Sequence, residues 1–295
     1  MTGSLKPLRG ERGGVLLLLA PTLIGLAIGV FGSVLATFVL SFFDWDLLSP
    51  ISFAGVSNYA NLPQDRMFSS ALVNTTLFSL LYVPLTLGIG FAVACLMNRH
   101  IRGISLLRAL FFLPVVSSPA AVGLLWSWIF AQDQGLLNSA ITALGGDPVS
   151  WLGPKVILYS VVIVNVWGAI GEAMIVFLAG LQAIPRELYE AAKVDGAKPW
   201  QRLVHVTLPS MVPSLFFQGV LSTIHAFQAF DYIYMLTRLS NGNSTFPTLV
   251  FSLYRTGFRF FRMGDAAAQA VVLTGIIAVF TLVYFRIQKK LGAEA

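Results

Sequence analysis

The sequence predicts an all-α transmembrane protein with six membrane-spanning helices, and two observations lead to this fold class. The first is composition: apolar residues make up 56% of the chain and charged residues 11%, against about 45–50% and about 25% in soluble proteins. The second is that the apolar residues form long stretches without charge. Several of these stretches exceed the roughly 20 residues with which a helix crosses a bilayer.

The same composition excludes other classes of protein. So apolar a chain is neither disordered nor collagen-like. Its single cysteine, Cys95, lies within an apolar stretch, so an intrachain disulfide is impossible and a thiolate metal cluster is not expected. The net charge of +6 is explained by membrane orientation rather than by nucleic-acid binding, because no aromatic-basic motif accompanies it.

Six apolar stretches are long enough to span the bilayer. The fourth is interrupted only by Glu172, and the fifth begins after Pro209. The first is about twice as long as the apolar region of a secretory signal, which has about 7–15 residues, so we expect an uncleaved anchor. The predicted spans are residues 14–42, 70–97, 109–131, 156–182, 211–236 and 266–286.

The distribution of basic residues predicts the orientation of the chain. Six spans place both termini on the same side, and that side then holds 13 of the 19 basic residues. Because basic residues accumulate in cytoplasmic segments, we expect both termini to be cytoplasmic. The six basic residues expected outside are Arg66, Lys155, Arg238, Arg255, Arg259 and Arg262.

The predicted spans organise the chain into three parts. Residues 1–69 contain the cytoplasmic N-terminus, the first span and an outer loop. Residues 70–286 form the transmembrane core, which includes a cytoplasmic loop at residues 184–213 between the fourth and fifth spans. Residues 287–295 form a cytoplasmic tail.

The 184–213 loop contains several residues that predict where its helices begin and end. Pro185 suits the first position of a helix, and Gly196 suits the residue just after a helix end. Pro199 then begins a second helix, and Pro209 ends it before the fifth span. The sequence therefore predicts two short helices joined by a bend. From these features alone, two interpretations stay open: a hairpin lying on lipid headgroups, or a surface that receives another protein.

Three motifs in this loop stand out: Glu190-Ala191-Ala192, Asp195-Gly196-Ala197 and Leu208-Pro209. Together they resemble the EAA loop of binding-protein-dependent ABC importer permeases. Downstream, Phe230-Asp231 and Leu236-Thr237 are similar to the carbohydrate branch of that family, which includes maltose-type and glycerol-phosphate-type permeases.

The resemblance implies a type I ABC importer permease fold. In that family the EAA loop forms a coupling helix that docks on a cytoplasmic ATPase. The resemblance implies that the residues at the matching positions of this chain transmit the closing motion of the ATPase to the membrane spans. These ATPase-coupling candidates are Glu190, Ala191, Ala192, Asp195, Gly196 and Pro209.

The resemblance also implies the partners of the chain. They are a second, homologous permease subunit, two ATP-binding cassette subunits and an extracytoplasmic solute-binding protein that delivers a sugar. No cofactor is expected on this chain, since ATP and Mg would be bound by the partner subunits. The complex would lie in the cell (inner) membrane of a bacterium or archaeon, in contact with membrane lipid.

Enzyme motifs are absent from the sequence. No GxxxxGK[ST] phosphate-binding loop, HExxH or GxSxG motif occurs, and the three histidines are widely separated. We therefore expect no catalytic residue and no metal site on this chain.

Polar residues within the fourth span are candidates for the path of the substrate. Glu172 lies near the middle of the span, where an ionised carboxylate costs at least about 2.5–3.5 kcal/mol. Asn165 lies on the same helix, with Trp167 between the two. Amide, carboxylate and aromatic groups suit a hydrated sugar. The alternative is a structural hydrogen bond between helices.

A second group of polar residues follows the fifth span. Gln218, His225 and Gln228 share one helical face, and Asp231 lies near the outer end. Such a stripe on an apolar helix lines either the substrate path or a subunit interface. His225 by itself is more typical of a hydrogen-bonded packing residue than of a ligand.

The last outer loop predicts an amphipathic helix. Apolar residues recur at helical spacing from Phe246 to Phe261. Arg255, Arg259 and Arg262, at positions i, i+4 and i+7, would form one basic edge of that helix. The helix is either interfacial, with arginines reaching the headgroups, or a docking surface for the solute-binding protein.

The resulting hypothesis is an inner-membrane permease subunit that translocates a di- or oligosaccharide-like sugar in an ATP-driven importer. The alternative within the family is a permease for a glycerol-phosphate-type solute. An ion-coupled secondary transporter is a third hypothesis, but it would need internal repeats and paired intramembrane ionisable groups, and the sequence shows no clear repeat.

Overall fold

The computed structural model describes residues 9–99, 102–239 and 246–292, and these are helical almost throughout. Two π-helical stretches, Ala27–Gly32 and Leu203–Thr207, and one 3₁₀ turn, Leu62–Gln64, interrupt or extend the α-helices. The first eight α-helices are α1 (Arg9–Leu26), α2 (Ser33–Leu40), α3 (Ser57–Asn61), α4 (Arg66–Met97), α5 (Ile104–Val116), α6 (Pro119–Ile129), α7 (Leu136–Ala143) and α8 (Ile157–Ala183). The remainder are α9 (Arg186–Val194), α10 (Pro199–Arg202), α11 (Leu208–Ser210), α12 (Val212–Phe227), α13 (Asp231–Leu239), α14 (Leu249–Phe258) and α15 (Met263–Gly292).

Four helical stretches are each long and apolar enough to cross a bilayer, and two further pairs of helices are long and apolar enough only when each pair is taken together. The predicted count of six spans is reached with each bent pair taken as one span. The four straight stretches are Leu18–Leu40, Arg66–Met97, Ile157–Ala183 and Met263–Lys289. The bent pairs are Ile104–Val116 with Pro119–Ile129, at 99°, and Pro199–Ser210 with Val212–Thr237, at 66°.

The bend in the third span has a local cause. Ser117 and Ser118 leave the helix for an extended backbone, with ψ angles of 145° and 127°. The ring of Pro119 disfavours a helical conformation at the residue before it, and Pro119 then occupies the first position of α6. The sequence predicts one span over 109–131, and the structure adds the sharp turn within it.

Contacts divide the chain into two compact units, of which the first combines Met1–Leu62 with Leu253–Val272. It contains a small antiparallel hairpin of strands β1 (Phe43–Asp44) and β2 (Ser52–Phe53). The buried Asn58 side-chain amide fixes the start of this hairpin, because it donates hydrogen bonds of 2.9 Å to the carbonyl oxygens of Ser41 and Phe43.

The second unit combines Pro63–Ser252 with Leu273–Ala295 and is organised around α8. This helix packs against α4 most extensively, and also against α5, α12 and α13. One buried apolar cluster surrounds Phe78, Val161 and Ile233. A second cluster, around Ala94, Phe177 and Met211, lies where the fourth span approaches the 184–213 loop.

Two glycines permit the close packing of α8 on its neighbours. A Cβ atom at Gly90 on α4 would lie 2.6 Å from the Cβ of Ala173 on α8. A Cβ atom at Gly171 would collide with the backbone carbonyl of Phe111 on α5. Small residues at such positions let membrane helices approach closely, which strengthens their van der Waals contact.

Replacing Gly90 by alanine is expected to lower the stability of the assembled transporter. The added methyl group must displace α8, and overpacking of this kind costs about 1–3 kcal/mol. Gly88 on the same helix is the matched control, because a Cβ atom there meets nothing within 4 Å. The measurement is the thermal unfolding midpoint of the detergent-purified complex, and equal midpoints for the two variants would contradict the close contact of α4 with α8.

Candidate functional site

The 184–213 loop forms the two short helices that the sequence predicts. They are α9 and a helical stretch that begins with α10 and continues to Ser210, one residue beyond the end predicted at Pro209. Gly196 between them has φ +73°, a left-handed conformation that favours glycine. The amide of Ala197 donates to the carbonyl of Ala192 at 2.9 Å, and the amide of Gly196 donates to that of Lys193 at 3.1 Å. These two bonds are the Schellman arrangement, which ends a helix and turns the chain.

One side of this loop is anchored to the spans. The Tyr189 hydroxyl group is 3.0 Å from the Thr207 hydroxyl group, across the bend. The Tyr189 ring also packs against the buried cluster that contains Phe177, Leu181 and Met211. Tyr189 therefore connects α9 to the ends of the fourth and fifth spans.

The other side of the loop is exposed. Three large apolar side chains, Leu188, Val194 and Trp200, are 47%, 87% and 70% exposed. The ATPase-coupling candidates lie beside them: Ala192 is half-buried, and the exposed ones are Glu190, Ala191, Asp195, Gly196 and Pro209.

A polar cavity lies beside the fourth and fifth spans. It has a volume of about 350 Å³ and is open on one side. Its polar lining residues are Tyr82, Asn165, Glu172, His225, Gln228, Asp231 and Tyr232. The structure thus brings together five of the seven substrate-path candidates, from the fourth and fifth spans.

The cavity coincides with a break in the fifth span. Helix α12 ends at Phe227 and α13 begins at Asp231, so the backbone is not helical between them. The carbonyl of Ala229 within the break accepts a hydrogen bond of 2.9 Å from the Thr248 hydroxyl group. Interrupted helices at membrane depth are tolerated where the backbone is buried in protein or lines a water-filled cavity, and in transporters they mark binding sites.

Two ionisable groups of the cavity, Glu172 and His225, lie close to each other. Nδ1 of His225 is 3.8 Å from Oε2 of Glu172, and the two side chains are 45% and 35% exposed. The Asn165 amide donates at 2.8 Å to the carbonyl of Val161 on its own helix. The two carboxylates, the imidazole and the amides present both donors and acceptors to a hydroxylated solute.

Two substrate-path candidates lie elsewhere. Trp167 makes an edge-to-face contact with Trp126, with ring centroids 5.7 Å apart, and belongs to the packing around the first apolar cluster. Gln218 is only 1% exposed, and its amide nitrogen is 3.3 Å from the Ser222 hydroxyl oxygen. Gln228 is the residue just after α12, and its backbone amide still donates to the carbonyl of Ile224 at 3.0 Å, so burial rather than the end of the helix separates Gln218 from the cavity.

Two further residues of the cavity, Tyr82 and Tyr232, were not predicted from the sequence. Tyr82 lies on α4 and is only 4% exposed, yet it lines the cavity. Tyr232 follows Asp231, and its hydroxyl group lies against Gly168 on α8. The proximity of Tyr232 to an intramembrane aspartate was an available signal, whereas nothing local distinguishes Tyr82 from other aromatic residues of its helix.

The predicted basic edge of the last outer loop is wrong as a helical feature. Helix α14 ends at Phe258, where the amide of Phe260 bonds the carbonyl of Arg255 at 2.9 Å and turns the chain. Arg259 and Arg262 therefore lie beyond the helix. Arg255 stacks over the Phe260 ring at 5.3 Å, and Arg262 pairs with Asp265 at 2.8 Å.

The described residues hold no cluster of three or more His, Cys, Asp or Glu side chains that could bind a metal ion.

Comparison with known proteins identifies the family. The family model for the inner membrane component of binding-protein-dependent transport systems matches residues 85–293. The chain belongs to this family. The permease is 31% identical over 292 residues to the trehalose/maltose transport system permease protein MalF of Thermococcus litoralis, with 97% of each chain covered.

A second relative and a solved structure agree with this assignment. The permease is 33% identical over 276 residues to the lactose transport system permease protein LacF of Rhizobium radiobacter, covering 91% of this chain and 92% of LacF. It also matches a chain of the bacterial alginate ABC transporter in complex with an alginate pentasaccharide-bound periplasmic protein. That match has a TM-score of 0.83 at 23% identity and covers 95% of this chain and 96% of the other, which confirms the type I importer permease fold.

The family membership confirms several expectations from the sequence. The chain is a membrane-embedded permease subunit of an ABC transporter and is not an enzyme; the ATPase is a separate subunit. The roles of individual residues in the 184–213 loop and in the polar cavity stay predictions.

Cysteine substitution is expected to separate the two glutamines of the fifth span. In a Cys95→Ser background, Gln228→Cys should react rapidly with a water-soluble maleimide, because Gln228 lines the open cavity and is exposed. Gln218→Cys is the matched control and should stay largely unmodified, since Gln218 is buried. The measurement is the labelling rate of the purified complex, and equally fast labelling at both positions would contradict the placement of the cavity.

Proposed function

We propose that this permease forms the translocation path for a di- or oligosaccharide-like sugar in an ATP-driven importer. The observation that carries the proposal is the polar cavity at the break in the fifth span. Sugars are recognised by hydrogen-bonding side chains together with aromatic rings, and the cavity supplies both in Asn165, Glu172, Gln228, Tyr82 and Tyr232. The relatives MalF and LacF, which are trehalose/maltose and lactose permeases, favour the same class of substrate.

The proposed complex contains more than this chain. A second, homologous permease subunit completes the path, and two ATP-binding cassette subunits bind ATP and Mg and supply the energy. A solute-binding protein delivers the sugar from outside the membrane, as the periplasmic partner in the alginate transporter suggests. In this arrangement both termini and the 184–213 loop are cytoplasmic, in accordance with the excess of basic residues on that side.

The 184–213 loop is the proposed contact with the ATPase. Its exposed apolar side chains, Leu188, Val194 and Trp200, would be buried on docking, while Tyr189 connects the loop to the core of the spans. Small residues at Ala191 and Ala192 would let the ATPase surface approach the α9 backbone closely. The alternative position on lipid headgroups would leave no role for the connection through Tyr189.

Reconstitution tests the proposed function. The permease should co-purify with ATP-binding subunits, and proteoliposomes of the complex should take up labelled maltose, trehalose or lactose. Uptake should require both ATP and the solute-binding protein. Uptake of these sugars by the chain alone, driven by an ion gradient, would contradict the proposal and favour a secondary transporter.

Replacing Gly196 by alanine is expected to weaken coupling to the ATPase. An L-residue in the left-handed conformation costs roughly 1–2 kcal/mol, and relaxation of this strain would reorient α9 relative to α10. The expected result is a severalfold lower rate of sugar uptake together with weaker retention of the ATP-binding subunits during purification.

Gly145→Ala is the matched control for this variant. Gly145 follows α7 with φ +84° and the same pair of Schellman hydrogen bonds, and a Cβ atom meets nothing within 4 Å at either glycine. The backbone strain is therefore equal, but the site is in a different loop. An equal loss of uptake in both variants would show that strain alone, and not the position in the 184–213 loop, causes the defect.

Charge reversal tests the outer arginines as a docking surface for the solute-binding protein. Arg255, Arg259 and Arg262 are all candidates, but Arg259→Glu is the most informative variant because it preserves the Arg255 stacking contact and the Arg262 ion pair. We expect a lower affinity of the complex for the loaded binding protein, with a steeper loss at low salt. Lys155→Glu reverses the same charge in another exposed loop and serves as the control. An unchanged affinity of the Arg259→Glu complex for the binding protein would contradict docking and favour contact of the arginines with lipid headgroups.

A further inference from the structure

The polar cavity has an unbalanced set of charges. Its lining contains the carboxylates of Glu172 and Asp231, the imidazole of His225, and, among the described residues, no lysine or arginine. A protonated His225 neutralises at most one of the two carboxylates. The lining is therefore electronegative whenever both carboxylates are ionised.

The backbone at the break in the fifth span does not reverse this balance. The end of α12 and the start of α13 both lie at the break, so the backbone contributes partial charges of both signs there, each of about half an elementary charge. Asp231 lies in the first turn of α13, and its carboxylate compensates that helix end further. Side chains rather than helix dipoles thus set the sign of the potential in the cavity.

From this charge set we infer that the cavity selects its sugar by charge, favouring cationic over neutral glycosides and disfavouring anionic ones. The inference rests on the proposed function, because it assumes that a sugar enters this cavity. An amino sugar would place its ammonium group near Glu172 or Asp231, whereas a uronate or a phosphate group would meet two carboxylates without a basic side chain. The same argument disfavours a glycerol-phosphate-type solute.

The neutral hydrogen-bonding groups explain why uncharged sugars are accepted as well. Asn165 and Gln228 carry amides, and Tyr82 and Tyr232 carry rings with hydroxyl groups, all of which bind hydroxylated solutes irrespective of charge. The carboxylates add a charge-dependent contribution to this common recognition. Removing that contribution should reduce the differences in affinity between cationic, neutral and anionic sugars without abolishing binding.

Saturation-transfer NMR on the whole complex tests the inference. The complex is placed in nanodiscs of zwitterionic phosphatidylcholine, without the solute-binding protein, so that only the permease site selects. The probes are glucosamine, glucose and glucuronate, which differ mainly in charge. We expect the strongest saturation transfer for glucosamine and the weakest for glucuronate, with about a tenfold difference in apparent affinity between these two.

Two variants make the test specific to the cavity. Glu172→Gln/Asp231→Asn removes both carboxylates while keeping the side-chain shapes, and it should bring the three affinities together. Asp133→Asn/Asp147→Asn makes the same change in net charge at exposed residues outside the cavity, and it should keep the wild-type order. Retention of the ATP-binding subunits establishes that each variant is assembled.

The outcomes separate the inference from the proposed function. Charge selection would be overturned if glucuronate bound as tightly as glucose, or if the cavity variant kept the wild-type order of affinities. Neither result would contradict sugar transport. Absence of saturation transfer for all three probes would also overturn the inference. The proposed function is tested separately, by ATP-dependent uptake of maltose, trehalose or lactose.

Discussion

The structure depends above all on the requirement that backbone polar groups inside a bilayer be satisfied within the protein. That requirement makes the chain helical throughout its spans, and it makes any interruption meaningful. The fifth span is interrupted between Phe227 and Asp231. There the Thr248 hydroxyl group replaces a helical partner for the Ala229 carbonyl, and the open polar cavity lies beside the freed backbone. The break is possible only because other segments and a cavity accommodate it.

Helix α8 connects this cavity with the 184–213 loop. Glu172 lines the cavity, and Leu181, nine residues further along, belongs to the buried cluster against which Tyr189 packs. Nine residues correspond to about 13.5 Å along a helix. Close packing of α8 on α4 and α5, made possible by Gly90 and Gly171, leaves little room for the helix to bend independently of its neighbours. The cavity wall and the loop anchor are therefore parts of one closely packed helix and its neighbours.

Much of this arrangement could be predicted from local patterns. Pro185, Gly196 and Pro199 predicted the two helices of the loop, because helix ends are governed by backbone conformation and terminal hydrogen bonds. The same kind of reasoning failed for Arg255, Arg259 and Arg262. Helical periodicity continues through the sequence to Phe261, but a turn after Phe258 ends the helix, and Arg262 beyond it pairs with Asp265. Periodicity predicts which residues would share a face of a helix. Where the helix ends depends also on the tertiary contacts of the segment that follows it.

The sequence by itself determined that the chain is a membrane protein, where most of its spans lie, and which loop resembles a coupling helix. These properties follow from the hydrophobic length of segments, the placement of charges, and short backbone motifs, all of which are local. Only the tertiary structure decided which polar residues meet. It brought Glu172 and His225 to 3.8 Å from different helices, added Tyr82 from a third, and buried Gln218 away from Gln228 on the same span. The physical reason is that a cavity is formed by the packing of several helices and by a break in one of them, and neither is encoded in the pattern of any single segment.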